Sequence, residues 1–521
     1  MRVDEMLADV KVTRTTMPAG MDLRGVTSVS GAVGAGDLFV AVRGGRFDGL
    51  AFLPEALAAG ARALVVGSGR FEEAEAALGT LAATASGPVA LIEVADEREA
   101  LALLGRNAMG RPDLELKVTG ITGTNGKTTT AWLLSAMYEA AGTRCGLMGT
   151  VEHRIGSDRE EASRTTPEGP EIHRWLRRMR DSGAGACVME VSSHSLDLRR
   201  VAGMRFSTAI FTNLTQDHLD YHGSMESYYA AKRRLFEGLD GEATAVINAD
   251  DGWGRRLAGG IAGRRLLFGR EAGADIRMVE CRTGVGGTEI ELEERGDTAG
   301  AASKERVVIR SPLVGLPNGY NLLAAAAAAR AAGLSWDAIR IGAAGVRVVP
   351  GRLERVDAGQ GFAVLVDYAH TDDALRNVLE ALRPLTAGRL ITVFGCGGDR
   401  DTGKRPLMGA HAARLSDLFW VTSDNPRSED PGSIIGMVLD GVRGESCSAE
   451  RCRVEPDRKE AIHCAIAEAR DGDTVLIAGK GHERIQISAN GTVPFDDVEV
   501  AREALAMRRQ AHGEGGDGEP A

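Results

Sequence analysis

Gly120 to Leu134 reads GITGTNGKTTTAWLL, and residues of these types in this order bind anions. Glycines let backbone N–H groups turn inward on a phosphate, Lys127 can bridge the terminal phosphates, and the Thr128 hydroxyl can hold Mg²⁺. The apolar run LKVTG precedes the loop and a helical pattern follows it, so the positive end of a helix adds to the attraction. The usual G-x-x-x-x-G-K-[ST] spacing would put glycine at 121, where Ile121 stands; Gly120 and Gly123 are the nearest. ATP is the expected ligand of Gly123, Thr124, Asn125, Gly126, Lys127, Thr128 and Thr129. Glu190 closes the run CVMEV, so it is expected at the carboxyl end of a strand facing Lys127 and Thr128, as an oxygen ligand of the kind Mg²⁺ prefers. His218, just past another apolar strand, is a candidate metal ligand. In SDNPRSEDP, Asp424, Asn425, Pro426 and Arg427 follow a third apolar run, and GCGGDRDTGKRP supplies Arg400. A guanidinium can grip a carboxylate by two parallel bonds.

These residues need strands that end together. Short β-branched runs alternate with helical stretches along the chain, which is the pattern of α/β domains with parallel sheets. In residues 1–110, DLFVAVRG and ARALVVG read as strands and LPEALAAG as the helix between them. GRPDLELKVTG reads as a linker feeding a strand. Apolar runs ending in polar residues at 184–193, 204–214 and 244–251 belong to a central P-loop-type domain, expected over 111–348, and sites gather at such strand ends. Residues 272–311 suggest an antiparallel excursion, and NLLAAAAAARAAG a helix stopped by glycine. Pro350 and Gly351 punctuate the next boundary. FAVLVDYAH, RLITVFGCGGDRDTGK, LFWVTSDNPR and DTVLIAGKGHE then predict a doubly wound, Rossmann-like third domain over 349–511. The glycine-rich acidic tail, 512–521, is expected to be disordered.

The chain has 521 residues, enough for about three domains at ~100–200 residues each. A net charge of −11 gives no bulk attraction to nucleic acid or to an anionic membrane, so its cations must act locally. Seven scattered cysteines without C-x-x-C spacing argue for a reducing compartment and against a disulfide framework or a zinc site. The N-terminus has no signal core and no run approaches the ~18 apolar residues that span a bilayer. A cytoplasmic protein without a nucleic-acid or membrane partner is expected.

The spacing TGTNGKT, with DHLDYHG…AAK, VDYAH and DNPR, resembles the Mur ligase family, the ATP-dependent amide-forming enzymes of peptidoglycan precursor synthesis. The likeness runs through all three domains and is nearest the members that add the third amino acid. It implies a monomeric enzyme that uses ATP and Mg²⁺ to join meso-diaminopimelate to UDP-MurNAc-L-Ala-D-Glu. Lys127, Glu190, His218 and Lys232 then become the catalytic set, with Thr128, Glu190, His218 and a carbamoylated Lys232 around metal. Asn321, Arg352, Asp367 and His370 become nucleotide contacts; read alone, Asn321 is a helix cap and Arg352 a linker ion pair. Ser30, Thr165, Thr166, Ser192 and Arg200 become contacts of the UDP-sugar peptide, bound in part by the first domain. Val29-Ser30-Gly31 departs from the family's Asp-Ser-Arg there. Arg400, Asp424, Asn425, Pro426, Arg427, Gly479 and Glu483 become the diaminopimelate pocket, Glu483 facing an ammonium. A lysine-adding sibling, another Mur or folylpolyglutamate-type ligase, and a non-catalytic nucleotide-binding regulator are the alternatives.

Overall fold

The computed structural model describes all residues except 18–20, 46, 82–86, 285, 296–304, 446–449 and 514–521. Cys447 and the tail from 514 lie outside the described residues, whereas residues 512 and 513 end the helix Asp497–Gly513. Three main sheets follow one another along the chain. The first orders its five strands Val12–Thr15, Ala90–Val94, Ala63–Gly67, Leu38–Val40 and Val26–Thr27, parallel except for Val12–Thr15.

The second sheet has eleven strands, and its parallel middle runs Arg264–Gly269, Thr244–Asn248, Thr208–Phe211, Lys117–Thr122, Ala186–Glu190, Cys145–Met148. The chain fills one side of Lys117–Thr122 first, through Cys145–Met148 and Ala186–Glu190. It then crosses to the other side at Thr208–Phe211. Such a reversal opens a crevice at the carboxyl end of the strand where it occurs, and Gly123 stands there. The expected antiparallel excursion is three strands, Ile276–Gly284, Gly287–Glu294 and Glu305–Ser311, which extend one edge.

Helices cover both faces of the parallel middle, so its strands are apolar throughout rather than alternating. Lys127–Ala140, Leu316–Ala331 and Trp336–Gly345 share one core with the sheet. The alanine run Ala324–Ala329, at most 1% exposed, brings Leu316–Ala331 close to the sheet because its side chains occupy little space. This helix starts five residues before Asn321, so Asn321 is interior to it and not a cap.

The segment expected to be a linker carries weight. Its Asp113 forms a buried ion pair with Arg106 at 2.9 Å and accepts from the Arg205 N–H at 2.9 Å, tying the first sheet's helix Glu97–Ala108 to the second unit. That helix meets Gly169–Asp181 so closely that a Cβ on Gly105 would lie 2.6 Å from the Pro170 Cα.

The third sheet orders Glu354–Arg355, Ala363–Asp367, Thr474–Ala478, Leu390–Phe394, Leu418–Val421 and Cys452–Val454, parallel but for the first. All four expected strand runs are in it. Arg458, fully buried, grips both oxygens of buried Asp497 at 2.8 and 2.7 Å and donates to the Ala478 carbonyl at 3.0 Å. This fastens the last helix beneath the loop that begins at Gly479. Asp497→Ala strands that guanidinium without its partner and should cost about 3–5 kcal/mol. Urea unfolding should show an early transition for the variant; an unchanged midpoint would contradict the assignment.

Candidate active site

The loop between strand Lys117–Thr122 and helix Lys127–Ala140 uses glycine where the backbone requires it. Gly123 has φ +146° and Gly126 φ +86°. A Cβ at Gly123 would lie 1.9 Å from Thr212 Oγ1, and one at Gly126 2.2 Å from Asn321 Oδ1. Asn321 therefore backs the loop from its own helix. Thr124 N and Asn125 N donate to the Asn213 carbonyl and Asn213 Oδ1, both at 2.9 Å, so the neighbouring strand fixes the loop's shape. Thr128 and Thr129 are buried in the helix's first turn.

Three basic side chains converge here. Lys127 Nζ folds back onto the carbonyls of Gly123 at 3.0 Å and Thr124 at 2.8 Å. Lys232 Nζ, from helix Met225–Glu237, donates to the same Gly123 carbonyl at 2.8 Å and lies over the Tyr228 ring at 4.5 Å. Arg352 reaches across from the third sheet and donates to Thr128 Oγ1 at 3.1 Å, with its guanidinium 4.7 Å from the Tyr368 ring centre. Burial pushes the Lys127 amine below the ordinary lysine value, the Glu190 charge opposing it and Arg352 adding to it. Burial, and then the Lys127 charge, push the Lys232 amine well below its ordinary value.

Glu190, 1% exposed, ends its strand beside the loop as expected. Its carboxylate accepts from Thr128 Oγ1 at 3.1 Å, Thr150 Oγ1 at 3.0 Å and Thr150 N at 2.8 Å. Thr128 and Glu190 thus offer two hard oxygens within hydrogen-bond reach of each other, a donor set that fits Mg²⁺ completed by waters and phosphate. Among the described residues no group of three His, Cys, Asp or Glu could hold a metal ion by itself. The Lys232 amine, pointed at a carbonyl, is no cation ligand in its unmodified form.

Thr165, Thr166, Ser192 and Arg200 gather around the same strand end. Thr165 Oγ1 lies 3.1 Å from Thr150 Oγ1, and Thr166 Oγ1 donates to the Glu190 carbonyl at 2.9 Å. Ser192 N donates to Thr166 Oγ1 at 3.1 Å, and Arg200 to the Thr166 carbonyl at 2.9 Å. Ser30 sits on the first sheet's loop, its hydroxyl donating to Glu55 at 2.5 Å.

A cavity of about 350 Å³ separates the His218 loop from the third sheet. His218 and His370 line it together with Arg400, Asp424, Asn425, Arg427, Gly479 and Glu483. Pro426 is not on its wall; the Pro426 carbonyl stands where a Cβ on Gly398 would be, 1.9 Å away, and packs two loops together. His218 has φ +53°, and its ring lies 3.4 Å from Asp217. Desolvation, with His194, Lys127 and Lys232 nearby, pushes His218 down to about 4 against the pull of Asp217, so at neutral pH the ring is an uncharged imidazole. Among the described residues no hydrogen bond joins His218 to Glu190. His370 Nδ1 faces the Tyr368 carbonyl at 2.9 Å. Asp367 Oδ2 accepts from Leu353 N at 2.7 Å and so holds the turn that carries Arg352.

Sequence reading passes over Thr150, Lys404 and Lys480. Lys404 lines the cavity and donates to the His370 carbonyl at 2.8 Å. Lys480 is fully buried between Asp424 at 3.7 Å and Glu483 at 3.6 Å, and bonds Asn425 Oδ1 at 3.0 Å. Both lysines stand inside motifs already singled out, so counting the charges of each motif would find them. Thr150 carries no sequence signal at all.

Family models match this chain in three blocks: the Mur ligase family catalytic domain over 22–108, the Mur ligase middle domain over 121–329, and the Mur ligase glutamate ligase domain over 351–481. A protein of Solibacter usitatus named UDP-N-acetylmuramoyl-L-alanyl-D-glutamate–2,6-diaminopimelate ligase is 46% identical over 97% of this chain and 98% of its own. One of the same name from Gloeobacter violaceus is 45% identical over 98% and 99%. A solved structure of a ligase of that name is 30% identical, with TM-score 0.66 over 98% of this chain and 99% of its own. The Thermotoga maritima MurF ligase in complex with ADP, 21% identical with TM-score 0.59 over 94% and 98%, shares the fold.

Gly126→Ala forces φ +86° on an L-residue and drives its Cβ against Asn321. At ~1–2 kcal/mol of strain before the clash, adenine nucleotide affinity should fall about tenfold or more. Calorimetric titration with ADP checks this, and wild-type affinity would contradict the loop's role.

Proposed function

The chain belongs to the Mur ligase family, and we infer that it is the ATP-dependent ligase that joins meso-diaminopimelate to UDP-MurNAc-L-Ala-D-Glu in peptidoglycan precursor synthesis. One observation carries the reading beyond the likeness: a phosphate loop crowded with cations adjoins a cavity whose Arg400 and Arg427 have no carboxylate partner among the described residues.

In this reading Gly123 to Thr129 cradle the triphosphate, with Lys127 turning from the loop carbonyls to the phosphates. Asn321 supports the loop, while Arg352, Asp367 and His370 bring the third domain to the nucleotide. Ser30, Thr165, Thr166, Ser192 and Arg200 seat the UDP-sugar peptide so that its terminal D-Glu carboxylate points at the loop. That carboxylate attacks the γ-phosphorus; an O–P bond forms, the bridging P–O bond breaks, and ADP leaves. The incoming amine, having lost a proton, attacks the acyl phosphate carbon. A C–N bond forms, the C–O bond to phosphate breaks, and inorganic phosphate and a second proton depart. Holding both reactants in one cleft supplies much of the rate.

Thr128 and Glu190 would hold Mg²⁺, which when bound neutralises phosphate charge. His218 and, after carbamoylation, Lys232 would be further ligands. In that step the uncharged amine adds to CO₂ and releases a proton, turning the amine into an anionic oxygen ligand. The burial of Lys232, with no acid to pair it among the described residues, supports this. Arg400, Arg427 and Asn425 would receive the distal carboxylate of diaminopimelate, and Asp424, Glu483 and the Gly479 loop its ammonium. Lysine lacks that carboxylate, which disfavours the lysine-adding alternative. Among the described residues no helix is long and apolar enough to cross a membrane, and ATP dependence fits a cytoplasmic location.

Phosphate release with UDP-MurNAc-dipeptide should be faster with meso-diaminopimelate than with L-lysine by at least ~10³ in kcat/KM. Equal rates, or ATP turnover indifferent to both substrates, would reject the reading. Lys232→Ala should lose activity by about 10² or more and regain part of it with an added short carboxylate. Full activity without rescue would remove Lys232 from the site.

A further inference from the structure

Acids surround the two cavity arginines, yet neither arginine pairs with one. The nearest partner of the Arg400 guanidinium is the Asp399 carbonyl at 3.5 Å, and Arg427 donates to the Gly398 carbonyl at 2.8 Å. Among the described residues no carboxylate lies within 4.0 Å of either guanidinium.

Each nearby acid is engaged elsewhere. Asp399, adjacent to Arg400 in sequence, turns its carboxylate onto Ser428: Ser428 Oγ donates to Oδ1 at 2.6 Å and Ser428 N to Oδ2 at 3.3 Å. Glu429, two residues past Arg427, is gripped from both sides by fully buried Arg405, with both bonds at 2.8 Å. Glu429 also accepts from Asp399 N at 2.5 Å, and Arg405 donates to the Gly397 carbonyl at 3.1 Å, so the same groups lock the two arginine-bearing loops together. Asp401 Oδ1 accepts from Gly403 N at 2.8 Å. Asp424 and Glu483 flank Lys480. The Ser428 hydroxyl holds the Asp399 carboxyl below its usual range, and Arg405 holds Glu429 at about 2, so both are anions at neutral pH.

We propose that Ser428 and Arg405 are positioning residues that keep Asp399 and Glu429 off Arg400 and Arg427, preserving a cationic slot for the distal carboxylate of the incoming amino acid. The proposal rests on the reading that these arginines bind that carboxylate. An anion tethered next to a guanidinium competes with substrate at high effective concentration. Releasing Asp399 from Ser428 therefore weakens amino-acid binding without touching nucleotide or chemistry.

The test is a double-mutant cycle in the full-length enzyme, read as separate KM values for meso-diaminopimelate and ATP and as kcat. Ser428→Ala should raise the diaminopimelate KM about three- to fivefold, the scale of one exposed ion pair, with kcat and the ATP KM unchanged. Asp399→Asn should stay within about twofold of wild type, and Ser428→Ala/Asp399→Asn should return to the Asp399→Asn value. A merely structural contact would make the two single variants alike and leave the double variant impaired. That outcome, or no effect of Ser428→Ala, overturns the proposal. Arg427→Ala, run in parallel, separates the premises. If it raises the diaminopimelate KM while Ser428→Ala does not, only the positioning role fails; if it has no effect, the carboxylate assignment fails and the proposal with it.

Discussion

One backbone oxygen, the carbonyl of Gly123, accepts hydrogen bonds from two lysine amines, Lys127 at 3.0 Å and Lys232 at 2.8 Å. Arg352 stands beside them on Thr128, and Glu190 and Asp217 are acids that act on the group. Like charges this close repel by an energy on the order of a few kcal/mol unless an anion joins them. Thr128, Thr129, Glu190 and Lys232 are all buried around that arrangement. In the amino-acid cavity acids are plentiful but engaged elsewhere, Asp399 on Ser428, Glu429 on Arg405 and Asp424 and Glu483 beside Lys480, so Arg400 and Arg427 are left without a protein carboxylate.

The scaffold exists to hold that imbalance still. Lys117–Thr122 delivers the loop at the point where the sheet's winding reverses, and its neighbours deliver Glu190 on one side and Thr212–Asn213 on the other. The alanine-rich helix presses Asn321 against Gly126. The third sheet contributes Arg352 through a turn pinned by Asp367, and the same sheet walls the cavity. Contacts between the units, such as Asn125 with Asp373 at 3.4 Å, bring the phosphate loop against the third sheet's side of the cleft.

Much of this was legible in the sequence because it rests on local rules. Glycine positions, strand-ending polar residues and the alanine helix announced the loop, Glu190 and the third sheet's strands. What stayed hidden depends on partners distant along the chain. Asn321 reads as a cap because nothing nearby reveals that its helix begins at Leu316. Asp113 looks like linker polarity until Arg106 and Arg205 close on it. Pro426 belongs to a binding motif yet packs against Gly398, since a motif records order and not direction. Thr150 pins Glu190 with two hydrogen bonds and leaves no pattern in the chain.

The central claim is that Lys127 and Arg352 oppose one another until a phosphate arrives. Thermal unfolding of wild type and Lys127→Met, each with and without ADP, tests it directly. The account predicts that the ligand-free variant is as stable as wild type or more so, and that ADP raises Tm only in wild type. A ligand-free variant that melts earlier than wild type, yet is still stabilised by ADP, would contradict it.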